Sequence, residues 1–220
     1  MIETAPGLVL RTRLLTETSL VVQWLTPGFG RLATVAKGAL RPKSPFRGKL
    51  DLFYRADFSF SRSRRSELHT LREVSLRETH PVLRQELACL RQASYCATLV
   101  EQTCETETPL PAVFELMIGL LKHLGAHEPQ PQAMFAFELK LLSELGLKPD
   151  WERSKLNPGT KLLVQALTDT DWSLLARLRP SAAQVTEVGR FLHGFLIYHL
   201  GRIPRGRDTA LGPALRALPP

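Results

Sequence analysis

Apolar and polar residues alternate with a period of two over the first eighty positions, and recur near every 3.6 residues after that. Residues 7–14 (GLVLRTRL) predict a strand with Leu8, Leu10, Thr12 and Leu14 on one face and Val9, Arg11 and Arg13 on the other. Residues 18–26 (TSLVVQWLT) predict a second strand rich in β-branched residues, closed by a turn at Pro27-Gly28. A third at 31–37 (RLATVAK) sets Arg31 and Lys37 on one face. Two glycines and two prolines make 38–48 (GALRPKSPFRG) a loop. Residues 50–60 (LDLFYRADFSF) align Leu52, Tyr54, Ala56, Phe58 and Phe60 as a fourth strand, and 67–76 (ELHTLREVSL) form a fifth after a polar turn.

After His80-Pro81 the pattern turns helical. Residues 82–104 put Leu83, Leu87, Leu90 and Ala97 on one helical face, and amphipathic helices follow at 112–124 and 133–146. Asn157-Pro158 opens a short helix at 159–168, and another is expected at 171–178. Ser181 and Gln184 have the spacing of a capping box that starts a helix running to about Leu200. The expected fold is α+β: an N-terminal five-stranded OB-type β-barrel at 1–79, then an all-helical domain at 80–200. An SH3-like barrel is the alternative. Residues 201–220, rich in Gly, Pro and Arg, predict a loose basic tail.

Charge is unevenly spread. Residues 1–80 carry 14 Lys/Arg against 7 Asp/Glu, 81–176 carry 8 against 12, and 177–220 carry 7 against 2. Basic ends around an acidic middle point to a polyanionic partner, nucleic acid above all. The cysteines Cys89, Cys96 and Cys104, spaced seven and eight apart, predict buried thiols on one helical face in a reducing compartment. The N-terminus has no signal-peptide pattern, and the longest uncharged apolar run, eleven residues at 191–201, falls short of the ~20 that span a bilayer. A soluble, cytoplasmic protein is expected.

The chemistry concentrates at 37–49 (KGALRPKSPFRGK), where Lys37, Arg41, Lys43, Arg47 and Lys49 occur without an acid. Phe46 is placed to stack on a base, and Arg11, Arg13, Arg31 and Arg72 extend the strip if the strands close as proposed. Neutralising about five phosphates gives a salt slope of about −3.5 on single strands. Gly28-Phe29-Gly30-Arg31-Leu32-Ala33 matches a dinucleotide fingerprint, but a strand follows it where a helix is required. His123 and His127 lack the intervening Glu of a zinc-protease helix, and Asp169 and Asp171 sit where caps belong. No metal or cofactor and no enzymatic activity are therefore expected. The C-terminal arginines Arg177, Arg179, Arg190, Arg202, Arg205 and Arg207 extend the nucleic-acid footprint or receive an acidic peptide from a partner. These residues alone leave DNA and RNA, or a metal-dependent nuclease at Asp169 and Asp171, as competing readings.

Residues 7–53, with Gly30, Ala36, Lys37, Gly38, Arg41, Ser44 and Gly48 in a fixed spacing, resemble the bacterial recombination mediator family RecO. YHLGRIPRGR at 198–207 is similar to the end of that family's last helix. The resemblance implies an OB fold, a helical C-terminal domain, binding of single- and double-stranded DNA, and annealing of complementary strands in DNA damage repair. It implies RecR and the acidic C-terminal tail of single-stranded-DNA-binding protein as partners, with Arg177, Arg179, Arg190 and Arg202 as candidates for the tail, and RecA loading as the outcome. Many relatives carry four zinc-type cysteines after a segment like Leu145–Pro149; here that segment runs directly into WERSKLNPGTKLLVQ.

Overall fold

A computed structural model describes residues 2–212 and divides them into two compact units. The first joins residues through His80 to a later segment, Cys104–Glu115; the second joins Pro81–Thr103 to Leu116 and beyond. The boundary is thus not a single cut after residue 79, because 104–115 returns to the barrel. The stretch 213–220 of the expected tail lies outside the described residues.

The first unit is built on five strands: β1 (Ile2–Leu14), β2 (Leu20–Thr26), β3 (Gly30–Ala36), β4 (Arg55–Ser61) and β5 (Leu68–Glu78). They follow the order β1-β2-β3-β5-β4 and close into a barrel. Closure depends on the length of β1, which starts five residues before the expected strand. Its first half pairs with β4 from Ile2↔Ser61 to Leu8↔Arg55, and its second half pairs with β2 from Leu8↔Leu25 to Leu14↔Leu20. All pairings are antiparallel except the short β3–β5 seam, Ala33↔Leu68 to Val35↔Thr70. The fourth strand begins at Arg55 and not at residue 50. Phe53 takes a left-handed φ of 61° in the turn before it, which ends the alternation expected across 50–54.

The register of β1 against β2 shifts between Val9 and Arg11. Val9 points into the barrel, opposite Trp24; Leu10 is the extra, bulged residue; Arg11 then faces outward opposite Gln23. The expected face shared by Val9, Arg11 and Arg13 is therefore split, and the two arginines lie outside. The interior packs Ala5, Val9, Val22, Trp24, Leu32, Phe58, Phe60, Leu71 and Val74. Trp24 stacks on Phe58 at 4.1 Å and donates its indole N–H to Thr34 Oγ1 at 2.9 Å. Gly7 makes room for that pair, since a Cβ there would stand 2.6 Å from the Phe58 ring.

The returning segment is fastened at three points. Glu107 N–H donates to the Arg31 carbonyl at 2.8 Å. Ser63 N–H donates to His69 Nδ1 at 3.2 Å, so His69 Nε2 carries the proton and donates to Glu107 Oε1 at 2.9 Å. Arg62 bonds Glu107 and also Glu3, holding the Glu3 carboxyl below the usual carboxylate range.

The helices are α1 (Val82–Gln85), α2 (Leu87–Thr103), α3 (Pro111–Ala126), α4 (Pro131–Glu144), α5 (Pro158–Asp169), α6 (Trp172–Leu175), α7 (Ala182–Leu200) and α8 (Arg207–Leu211), and all but residues 111–115 of α3 belong to the second unit. The single helix expected at 82–104 breaks at Glu86, whose backbone is extended. α4 is the hub: residues 132–139 are all buried, and α2, α5, α7 and α8 pack around it. The capping box is formed, with Gln184 N–H donating to Ser181 Oγ and Ser181 N–H to Gln184 Oε1. Gly201, in the left-handed region at φ 71°, ends α7. Cys89, Cys96 and Cys104 are buried, and burial raises the Cys89 and Cys96 thiols away from reactivity. Among the described residues no helix is long and apolar enough to cross a membrane.

Candidate nucleic-acid interface

The basic loop after β3 forms neither helix nor strand, yet it is locally ordered. Successive backbone bonds close turns from Ala36 to Ala39, Gly38 to Arg41, Arg41 to Ser44, Ser44 to Arg47 and Phe46 to Lys49. Gly38 and Gly48, at φ 65° and 72°, supply left-handed turns that other residues adopt at a cost. Leu40 N–H donates to the Thr18 carbonyl at 3.0 Å and Gly38 N–H to Ser19 Oγ at 3.2 Å, tying the loop to the approach to β2.

Phe46 corrects the expectation of a base-stacking ring. It is 7% exposed and belongs to the barrel core, because an aromatic ring gains more from burial there than from solvent. Its role is to anchor the loop. That anchor leaves Lys37, Arg41, Lys43 and Arg47 exposed and Lys49 half-buried. Arg47 also donates to the Pro42 carbonyl at 3.2 Å.

Phe46 forms part of two concavities. On one side Arg41 and Arg47 line a cavity of about 330 Å³ with Leu40 and Pro42. On the other, Lys49 and Arg72 line one of about 410 Å³ with Asp57 and Glu73. Arg72 is the bulged residue of β5 and donates to Ser61 Oγ at 2.8 Å; Asp57 is paired with Arg77. Arg11 and Arg13 are exposed on the outer face of β1. Arg31, on β3, is half-buried, with Thr106 and Glu107 beside its backbone.

The C-terminal arginines do not form one cluster. Arg179 turns back on the carbonyls of Ala176 and Leu178 and lines a concavity with His123, Gln130 and Leu178. Arg190 lines a different one with Lys155 and Phe191. Arg177 and Arg202 are exposed, whereas Arg207 is fully buried. Arg207 therefore leaves the expected surface patch: its guanidinium is consumed by Glu138 and the Gly189 carbonyl.

The model for the N-terminal part of recombination protein O matches residues 1–80, and that for its C-terminal part matches residues 84–154. The chain belongs to the RecO family. Its place is accordingly in DNA repair and recombination. A DNA repair protein RecO from Exiguobacterium sibiricum is 28% identical over 92% of this chain and 82% of its own length. One from Pelotomaculum thermopropionicum is 28% identical, covering 90% and 89%. One from Burkholderia pseudomallei is 38% identical over 64% of this chain but only half of its own length.

In this chain the segment after Gly146 is closed locally: Leu147 N–H donates to the Leu142 carbonyl, and Lys148 lies 5.0 Å from the centre of the buried Trp151 ring. Among the described residues no three His, Cys, Asp or Glu side chains converge as metal ligands. Asp171 is the N-cap residue of α6, and Asp169 ends α5. His123 donates from Nδ1 to the Trp172 carbonyl at 3.1 Å and packs beside His127. Two parts of the site had no sequence signal: the pinning of Glu107 to His69, which is non-local, and the β-bulges that re-aim Arg11 and Arg72.

Proposed function

We propose that this chain is a recombination mediator without catalytic turnover. It binds single- and double-stranded DNA through Lys37, Arg41, Lys43, Arg47 and Lys49, with Arg11, Arg13, Arg31 and Arg72 on the flanks, and it anneals complementary strands. The observation that carries this reading is the turn-built loop at 37–49, acid-free and anchored by Phe46, which holds four cations toward solvent at little entropic cost on binding.

The proposal includes RecR and the acidic C-terminal tail of single-stranded-DNA-binding protein as partners in the bacterial cytoplasm, with RecA loading as the result. Arg179 lines a concavity of about 600 Å³ with the apolar Leu178 and Val185 and with His123, Gln130 and Glu128, and Arg177 lies two positions before it; this cation beside apolar residues supports the tail assignment, against the single acid Glu128.

The test is annealing of two complementary oligonucleotides pre-coated with single-stranded-DNA-binding protein. The wild type should accelerate it, and Lys43→Ala with Arg47→Ala should remove most of the acceleration and flatten the salt dependence of binding by about 1.4, about 0.7 per phosphate. No acceleration by a chain that still binds DNA would defeat the mediator reading. RNA of the same sequence as competitor sets DNA against RNA.

A further inference from the structure

We infer that the exposed face of α7 is a second binding site for single-stranded nucleic acid, distinct from the barrel loop. The face is read from positions 190, 191, 194, 197, 198 and 201, which recur at three- and four-residue intervals. Arg190, Gly194, Ile197, Tyr198 and Gly201 are exposed and Phe191 is half-buried; Tyr198 is 84% exposed. An aromatic series borders it, with Tyr198 and His199 exposed and Phe191 and Phe195 half-buried. Phe191 and Phe195 lie 6.4 Å apart between ring centres, Phe195 and His199 4.2 Å, and Tyr198 meets His199 edge-on at 5.0 Å. Arg190 stands near one end of the series and Arg202 beyond the other.

Charge and geometry select the occupant. Arg190 lines a groove of about 820 Å³ with Lys155, Leu156 and Phe191. The acid in that groove, Glu187, accepts from Asn157 N–H and from the Thr160 and Asn157 side chains and stays negative, but Arg190 and Lys155 outnumber it. Arg190, Lys155 and Arg202 have no ion-pair partner among the described residues. Cations flanking two open rings, Tyr198 and His199, suit a phosphate chain with unstacked bases, since every base presents a π-face. A duplex offers no free faces.

Gly194 is an independent observation. It sits in the middle of a 19-residue helix, where glycine is unfavourable, and a Cβ there would meet nothing within 4 Å. No neighbour in the chain requires it. It leaves the helix backbone bare between Phe191 and Tyr198, where a base or sugar can approach closely. A chain with one single-strand site on the barrel and another on α7 can hold two strands at once, as annealing requires.

Tyr198→Trp puts a reporter on this face of the full chain, and oligo(dT) is the probe. Quenching of the new emission is expected, and it should persist when Lys43→Ala and Arg47→Ala remove the loop site. Gly194→Leu fills open space, so thermal stability should hold or rise while oligo(dT) affinity at the reporter falls about tenfold or more, within the roughly 5- to 150-fold range of one base stack. Absence of quenching, or Gly194→Leu binding like wild type, would overturn the site. So would a reporter that answers to an acidic peptide or to self-association but not to oligo(dT). Failure of the loop variant to weaken DNA binding would count against the barrel reading alone.

Discussion

Arg207 and Glu138, sixty-nine positions apart, meet as a parallel pair inside the helical unit: Nε to Oε1 at 2.7 Å and Nη2 to Oε2 at 3.0 Å, both side chains without solvent exposure. Tyr95 donates its hydroxyl to the same Oε1. Burial, and then the Glu138 charge, push that hydroxyl well above the usual phenol range. The pair fixes α8 to α4. Arg207→Ala strands a buried carboxylate and should cost about 3–5 kcal/mol, read as a lower urea midpoint at constant slope. Arg207→Met combined with Glu138→Leu should recover most of the loss, because it removes both charges together.

Phe46 joins loop order to barrel stability. Phe46→Ala should cost about 3 kcal/mol and weaken DNA binding as the loop loses its anchor. Phe46→Leu, which fills most of the same space, should keep both stability and binding nearly intact. A base-stacking ring would give the opposite result for Leu: stable protein with lost affinity. Denaturation and fluorescence anisotropy on the three proteins decide.

Gly30 has φ 62°, and a Cβ on it would stand 1.8 Å from the Thr108 carbonyl oxygen. Gly30→Ala therefore displaces the 104–115 segment from β3. Amide hydrogen exchange should rise across 104–110 while the strands β1, β2 and β4 stay protected. Uniform exchange across the barrel would contradict this.

His123 is buried, and burial lowers its pKa below the ordinary 6.5. The unfolded chain therefore takes up a proton at higher pH than the folded one. Stability from this group is full above about 6.5 and declines as pH falls through that value. His123→Gln keeps a donor for the Trp172 carbonyl and cannot titrate. Over pH 7 to 5, roughly the window where histidine charges, the variant should lose less stability than wild type in matched denaturant titrations.

Much of this was legible in the residues. Period-two alternation located all five strands because one face of each is buried, and the Ser181–Gln184 box located α7 because capping is a local interaction. The faces of β1 were misread because a bulge inserts one residue without altering composition, and the apolar run Leu8, Val9, Leu10 before Arg11 does not mark where the register shifts. Phe46 was misread for a related reason. A ring within a basic loop has the same sequence appearance whether it turns inward or outward, and only the closed barrel shows the core position it fills. Arg207 looked like one more basic tail residue because its partner lies on a different helix. The loop itself and the exposure of Lys37, Arg41, Lys43 and Arg47 were legible, since neither glycine, proline nor charge needs a tertiary partner to declare it.

The return of residues 104–115 to the barrel has a consequence for biosynthesis. When the fifth strand leaves the ribosome, His69 still lacks Glu107, and the edge of β3 at Arg31 is still uncovered. The nascent barrel must wait through all of α1 and α2 before its last piece emerges. A pause in translation between codons 80 and 104 would therefore hold the protein in a half-latched state, and an excised 1–80 fragment reproduces that state permanently.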